Sequence, residues 1–202
     1  MRTLRALGLG AAVLATAGLL AACGGTEGGT PTAGPGPTTT TTGGQNGGSG
    51  SAPKVADPLD PQPLVTDPCG LVTDGQLAEL GLEKERERDT ATGEKECVWR
   101  QTAQPENTIA VSAFRSNPNG LGDIYDQRNE QEYFDEVTIG GYPAVFASEL
   151  DRRDDGRCAL WIGVTDQVVT SIQTQLDEGP DVTAPCPVAE RTGRAVIDTL
   201  GG

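Results

Sequence analysis

The sequence contains no histidine at any of its 202 positions. That excludes His-based catalytic triads, histidine metal ligands and the one side chain that ordinarily titrates near neutral pH. Aromatic residues are scarce: two Trp, three Tyr and three Phe. A core must therefore rest on Val, Ile, Leu, Ala and cysteine bridges. Basic residues are outnumbered, with 15 Lys and Arg against 29 Asp and Glu, for a formal net charge of −14. A surface of that sign excludes nucleic acid as a partner, because phosphates are gripped by Lys and Arg. It gives no electrostatic help in lying on an anionic membrane. The apolar run that starts at Leu7 is short of the roughly 20 residues a permanent membrane-spanning helix needs.

That run is nevertheless informative. It follows Arg2 and Arg5 and closes at Leu20-Ala21-Ala22-Cys23. A basic start, a short apolar stretch and small residues before a cleavage point predict a secretory signal peptide over residues 1–22. The closing four residues resemble the lipobox of bacterial lipoproteins: an aliphatic residue, two small residues that admit a peptidase, then an obligatory cysteine. The resemblance implies that the Cys23 thiol takes a diacylglyceryl group as a thioether and begins the mature chain. Two acyl chains anchor where one holds weakly. The expected location is the extracytoplasmic face of the cell membrane, with the membrane as a partner through the lipid on Cys23.

Residues 23–63 read as a tether. Gly, Thr and Pro dominate, and runs such as Thr38–Thr42 and Gly47-Gly48-Ser49-Gly50-Ser51 have almost nothing to bury against the entropy of ordering them. A flexible chain of about 40 residues has an r.m.s. span of roughly 35 Å. Its expected role is to hold the following domain, residues 64–202, off the membrane. Threonines near Pro31, Pro35 and Pro37 are candidates for O-linked sugar, beside the plainer reading of an unmodified spacer.

Cys69, Cys97, Cys158 and Cys186 remain, an even number in an exported domain, and two disulfides are expected. A four-thiolate metal site is the rival, but no C-x2-C pair exists and the intervals are long for structural zinc. Three pairings are open. The elements favour one of them. Thr73 and Gln76 read as a capping box opening a helix at 73–80 that Gly81 ends. Residues 82–90 alternate in charge and predict a solvated strand or loop. Strands are expected at 96–100 and 108–114, separated by the turn Pro105-Glu106-Asn107, and a helical segment at 121–130. Further strands are expected at 136–139 and 143–148 around Gly140-Gly141, then at 158–164 and 168–174. A helix at 186–200 carries Val188, Ala189, Thr192, Ala195 and Val196 on one stripe, with Gly193 inside it where close approach to a sheet would use it. The sum is an α+β domain: an antiparallel sheet of about five strands with two or three helices on one face, and two disulfides. Sequential pairing, Cys69–Cys97 and Cys158–Cys186, staples a helix to the sheet in each case and is the pairing expected.

Several short segments then fall into an order that is similar to a known family: Asp67-Pro68-Cys69-Gly70-Leu71-Val72, Cys97-Val98-Trp99, Gly120-Leu121-Gly122-Asp123, Gly140-Gly141-Tyr142-Pro143-Ala144, Arg157-Cys158 and Pro185-Cys186-Pro187-Val188-Ala189. Over residues 60–200 the chain resembles the actinobacterial lipoprotein family called domain of unknown function 3558. The resemblance implies a location and an approximate fold. It carries no catalytic residues.

Candidate sites follow from side-chain chemistry. Asp151, Asp154 and Asp155 beside Gly156 lack the alternating ligand positions of an EF-hand loop and read as a solvated hairpin tip. Glu130, Glu132, Asp135 and Glu136 would have to face across a cleft to act as a glycosidase pair, and read as surface charge. Ser112, Ser148 and Ser171 have no base motif around them. Trp99 and Trp161 would suit a sugar, but their strand positions place them in the core. Gly120-Leu121-Gly122 lacks the lysine and spacing of a phosphate loop. No catalytic, metal or cofactor residue is assigned. The expectation is a non-enzymatic binding module for an envelope component, a protein partner or a small amphiphile. An accessory subunit of a membrane complex stands behind it, and a carboxylate-dependent cell-wall hydrolase further back. The sheet face without helices, or a gap between sheet and helix, is where a ligand would sit.

Overall fold

A computed structural model describes residues 52–202, the side chain of Glu85 excepted. The leader, Cys23 and the tether up to residue 51 lie outside the described residues. The helices are α1 (Gln62–Thr66), α2 (Asp74–Leu80), α3 (Leu121–Asp126) and α4 (Cys186–Leu200). The strands are β1 (Leu82–Asp89), β2 (Lys95–Gln101), β3 (Thr108–Phe114), β4 (Tyr133–Ile139), β5 (Tyr142–Ser148), β6 (Arg157–Gly163) and β7 (Val169–Gln175). The class is α+β with an antiparallel sheet, as expected, but the sheet has seven strands rather than five.

The charged segment 82–90 accounts for part of that difference. It has no apolar alternation, because β1 is an edge strand with little to bury. Opposed charges across β1 and β2 hold it instead: Glu83 with Arg100 at 2.7 Å, Glu87 with Lys95 at 2.7 Å and Arg88 with Glu96 at 2.5 Å. Such cross-strand pairs are the local stabilising unit of a sheet, and charge on an edge also discourages pairing with another chain. A bulge lies between Lys84 and Arg86.

The strand order is β1-β2-β3-β7-β6-β5-β4, every pair antiparallel. Two meanders, β1 to β3 and β4 to β7, are joined where β7 pairs with β3 over seven residue positions from Thr108–Gln175 to Phe114–Val169. Consecutive hairpins match the expected connections. The β3–β7 seam is set by tertiary packing, since α3 carries the chain from the middle of the sheet to its far edge.

Strand alternation separates two faces. One face carries Ile109, Val111, Leu160, Ile162 and Ile172, all fully buried, and packs under α1, α4 and the segment around Cys69. Thr73 accepts from the Gln76 backbone N–H while the Gln76 side chain accepts from the Thr73 N–H, so the predicted capping box starts α2. Gly193 sits where α4 crosses the sheet: a Cβ there would lie 2.9 Å from Ile162 Cδ1 and 3.1 Å from Leu160 Cδ2. The disulfides pair sequentially. Cys69–Cys97 ties the turn before α2 to β2, with Cα atoms 4.9 Å apart, and Cys158–Cys186 ties β6 to the first residue of α4, at 5.2 Å.

Packing begins ahead of Leu64. Val55 is buried, its N–H donates to Asp166 Oδ1 at 3.1 Å, and the Leu59 N–H donates to the Val164 carbonyl at 3.1 Å. Asn107, read from sequence as part of a turn, is fully buried. Its amide donates to Gln101 Oε1 at 2.7 Å and to the Glu178 carbonyl at 2.8 Å, and accepts from the N–H groups of Asp177 and Glu178. The β2–β3 turn is thereby latched to the loop after β7.

α3 is the exception to helices on one face. Leu121, Ile124 and Tyr125 pack with Val145, Ala147 and Val169 on the opposite side of the sheet. This six-residue helix covers only part of that face, and the predicted helix at 121–130 stops at Asp126, followed by a 3-10 turn over Arg128–Glu130.

Candidate functional site

The face partly covered by α3 has small side chains along its centre. Ala110 and Ser112 on β3, Ser171 on β7 and Ala159 on β6 project to the same side as Trp161 and Phe114. Ser112 and Ser171 are buried, whereas Ala159, small beside Trp161 and Gln173, lines a depression to which Ile124 of α3 also contributes. The result is an open groove of about 450 Å³, within the range of roughly 300–1,000 Å³ typical of ligand clefts. Trp161, Phe114, Ile124 and Ala147 supply its apolar lining. Asn117, Gln127, Gln131 and Gln173 supply side-chain amides, and Glu149 one carboxylate. Leu150, 62 % exposed, stands on its rim. A second hollow of about 190 Å³ shares Ser148, Leu150, Ala159 and Gln173 with it and runs on toward Arg152 and Arg157.

Trp161 is held in place rather than buried in the core. Its Nε1–H donates to the Ala147 carbonyl at 3.0 Å, and Phe114 meets it edge-to-face with ring centroids 5.0 Å apart. Trp99 does occupy the core, with no exposed surface. The expectation of core packing therefore holds for Trp99 and is corrected for Trp161. Hydrophobic alternation in the sequence cannot tell the two apart, because Trp161 lies in a continuous apolar run, Cys158-Ala159-Leu160-Trp161-Ile162, and Trp99 follows Cys97 and Val98. The difference lies in which face α1 and α4 cover.

The remaining candidates resolve into structural roles. Ser112 and Ser171 meet across β3 and β7 at 3.0 Å, and Thr170 donates to the Ser112 carbonyl. Neither serine hydroxyl is hydrogen-bonded to a titratable side chain. Asp151 accepts from Arg153 at 2.9 and 2.5 Å, and Asp135 pairs with the same guanidinium at 3.1 Å. The hydrogen bond from Arg153 is the main reason the Asp151 carboxyl is held down to about 2. Asp155 pairs with Arg152, and Gly156 follows in the left-handed conformation, at φ 76°. Glu136 pairs with Arg128 at 2.7 Å, and Glu132 accepts from the Asp151 N–H at 2.6 Å. These carboxylates serve ion pairs and turns on the surface, as read from sequence. Gly120, at φ 57°, starts α3, and Leu121 points into the packing beneath it. A hollow of about 130 Å³ between residues 52–55 and α3 is smaller than ligand clefts usually are.

Glu94 was not singled out by sequence. It is 7 % exposed, yet its carboxylate accepts from the backbone N–H groups of Arg115 and Ser116 at 3.0 and 3.3 Å and from the hydroxyls of Thr90 and Thr92. Burial raises its pKa, but the hydrogen bonds together outweigh burial and the net shift is downward. It clasps the β1–β2 turn to the end of β3. Among the described residues no group of three or more His, Cys, Asp or Glu is placed to hold a metal ion, and no helix is long and apolar enough to cross a membrane.

The chain matches the family model described as "Protein of unknown function (DUF3558)" over residues 18–199. No curated protein and no solved structure matches it. Since the family match spans nearly the whole sequence, the chain belongs to the DUF3558 family.

Proposed function

We propose that this DUF3558 member is a lipid-anchored, non-enzymatic binding module on the extracytoplasmic face of the membrane, and that the α3-side groove is its binding surface. The lipobox-like Leu20-Ala21-Ala22-Cys23 after a basic, apolar leader supports the anchor. Two disulfides in a single acidic domain fit an oxidising compartment. The observation that carries the binding role is Trp161: a half-buried aromatic, locked by a hydrogen bond and a ring contact, on the wall of an open groove. Preorganised aromatic surface of this kind is costly to leave facing water and effective in recognition. Glu149 is the one carboxylate among the residues lining the groove, so the paired acids of glycoside hydrolysis are not assembled there.

Fractionation combined with site-specific photocrosslinking tests both halves. A photoreactive residue at position 150 should capture an envelope component from intact cells, and the same residue at Glu79, exposed on α2, should not. Cys23→Ala should abolish incorporation of labelled fatty acid and release the protein from membranes. Membrane retention without lipid labelling would overturn the anchor. Equal capture from positions 150 and 79 would overturn the groove.

A further inference from the structure

We propose that the groove binds a neutral glycan, with sugar rings laid against Trp161 and their hydroxyls met by the amides of Asn117, Gln127, Gln131 and Gln173; this rests on the binding-module reading above. The lining chemistry selects the ligand class. A side-chain amide both donates and accepts hydrogen bonds, and so does a sugar hydroxyl. The Asn117 and Gln173 side chains make no hydrogen bond with any described residue. The Gln127 and Gln131 amide nitrogens donate to the carbonyls of Asp123 and Gln127 at 2.9 and 3.5 Å, which leaves their Oε1 atoms to accept from a ligand.

Charge argues against acidic ligands. Glu149 is the only ionisable side chain lining the groove, and the chain as a whole carries −14. Phosphate, sulfate and carboxylate groups are recognised by Arg or Lys donors, which the groove does not supply. In the adjoining hollow Arg152 and Arg157 are paired with Asp155 at 3.5 Å and Asp177 at 3.6 Å. Shape argues against a buried amphiphile. The groove is open and continues past Leu150 into the second hollow, a path suited to a chain of rings rather than to one enclosed molecule. A protein partner would want a contiguous apolar patch. Among the described residues Leu150 is the one exposed large hydrophobic side chain.

The chain also provides its own optical reporter. Trp99 has no exposed surface and Trp161 lines the groove, so a change in quenchable tryptophan emission on ligand addition comes from Trp161. The full chain with Cys23→Ser is titrated with maltohexaose, cellohexaose and chitohexaose, with a neutral glycan array, and with heparin as the anionic control. Sedimentation with insoluble envelope polysaccharide separates a polymer ligand from a free oligosaccharide. At least one neutral glycan should bind, protect Trp161 from acrylamide and lose about tenfold or more in affinity with Trp161→Phe. Gln173→Glu, at an exposed position that leaves the core intact, should weaken binding severalfold, and Glu79→Gln should leave it unchanged. Binding to heparin alone, or to no neutral glycan at millimolar concentration, overturns the inference. Should position 150 then still capture a protein from intact cells, only the glycan assignment falls. If it captures nothing, the binding-module reading falls with it.

Discussion

The two disulfides offer an internally controlled measurement of what holds this domain together. Each closes a loop with a sequence separation of 28 residues. For a loop of that length the chain-entropy relation gives about 3.5 kcal/mol of stabilisation, the same for both. Burial then separates them. Cys69 and Cys97 are both buried, at 7 % and 0 % exposure, whereas Cys158 is buried at 3 % and Cys186 is partly exposed. Replacing a buried sulfur with hydrogen leaves a near-methyl-sized void worth about 1 kcal/mol. The pair Cys69→Ala and Cys97→Ala should therefore cost about 5.5 kcal/mol, and Cys158→Ala with Cys186→Ala about 4.5 kcal/mol. Against a typical total of about 5–15 kcal/mol, removing both should leave the domain largely unfolded. The assay is urea unfolding followed by far-UV circular dichroism. Free energies extrapolated to water are the quantity to compare, because cutting a cross-link expands the unfolded chain and raises the denaturant slope. A loss below about 1 kcal/mol for either pair would refute the loop-entropy reasoning. A larger loss for Cys158–Cys186 than for Cys69–Cys97 would refute the burial ordering.

Two further predictions rest on particular contacts. Glu94→Ala strips the carboxylate from the Arg115 and Ser116 N–H groups and should cost about 2 kcal/mol in urea unfolding. Because the folded pKa of Glu94 is lowered, its contribution is present above the unfolded carboxylate value near 4.3 and is lost as pH falls below it; wild type should therefore weaken more steeply than Glu94→Gln between about pH 5 and 3, and parallel slopes would refute the clasp. Gly193→Val drives a branched side chain into Ile162 and Leu160 and should lower stability by about 2–3 kcal/mol, read as a lower thermal midpoint. An unchanged midpoint would show that α4 can lift from the sheet.

Much of the architecture was legible because local signals agreed with the final packing. Thr73 and Gln76 predicted α2 through a capping box that involves only neighbouring residues. The Val188 to Val196 stripe predicted α4, and Gly193 predicted its close approach. Sequential cysteine pairing followed from which elements lie beside each other. What was less legible shares a cause. Residues 82–90 read as a solvated strand or loop and form the strand β1; the choice between the two lay in the opposed charges of β2, because β1 itself carries no apolar alternation. Val55 and Leu59 are isolated apolar residues among Pro, Asp and Ala, and their anchors, Asp166 and Val164, lie on the far side of the sequence. Asn107 reads as a turn residue and Glu94 carries no signal of its own, and each becomes a buried latch only when distant N–H groups arrive.

The groove shows the same division most sharply. Its amides and aromatics come from β3, β6, β7 and the segments on either side of α3, and together they form no recognisable motif. The sequence alone determined the class of the fold, the cysteine framework, the acidic surface, the absence of histidine chemistry and the expectation of export and lipid anchoring. Those properties follow from composition, periodicity and short local patterns. Tertiary structure decided that β7 inserts beside β3, that α3 crosses to the other face, and that Ala159, small beside Trp161 and Gln173, leaves Trp161 standing at the edge of a hollow. The physical reason is that a groove is a relation between surfaces. It exists where packing stops, and where packing stops depends on every element that could have covered the site.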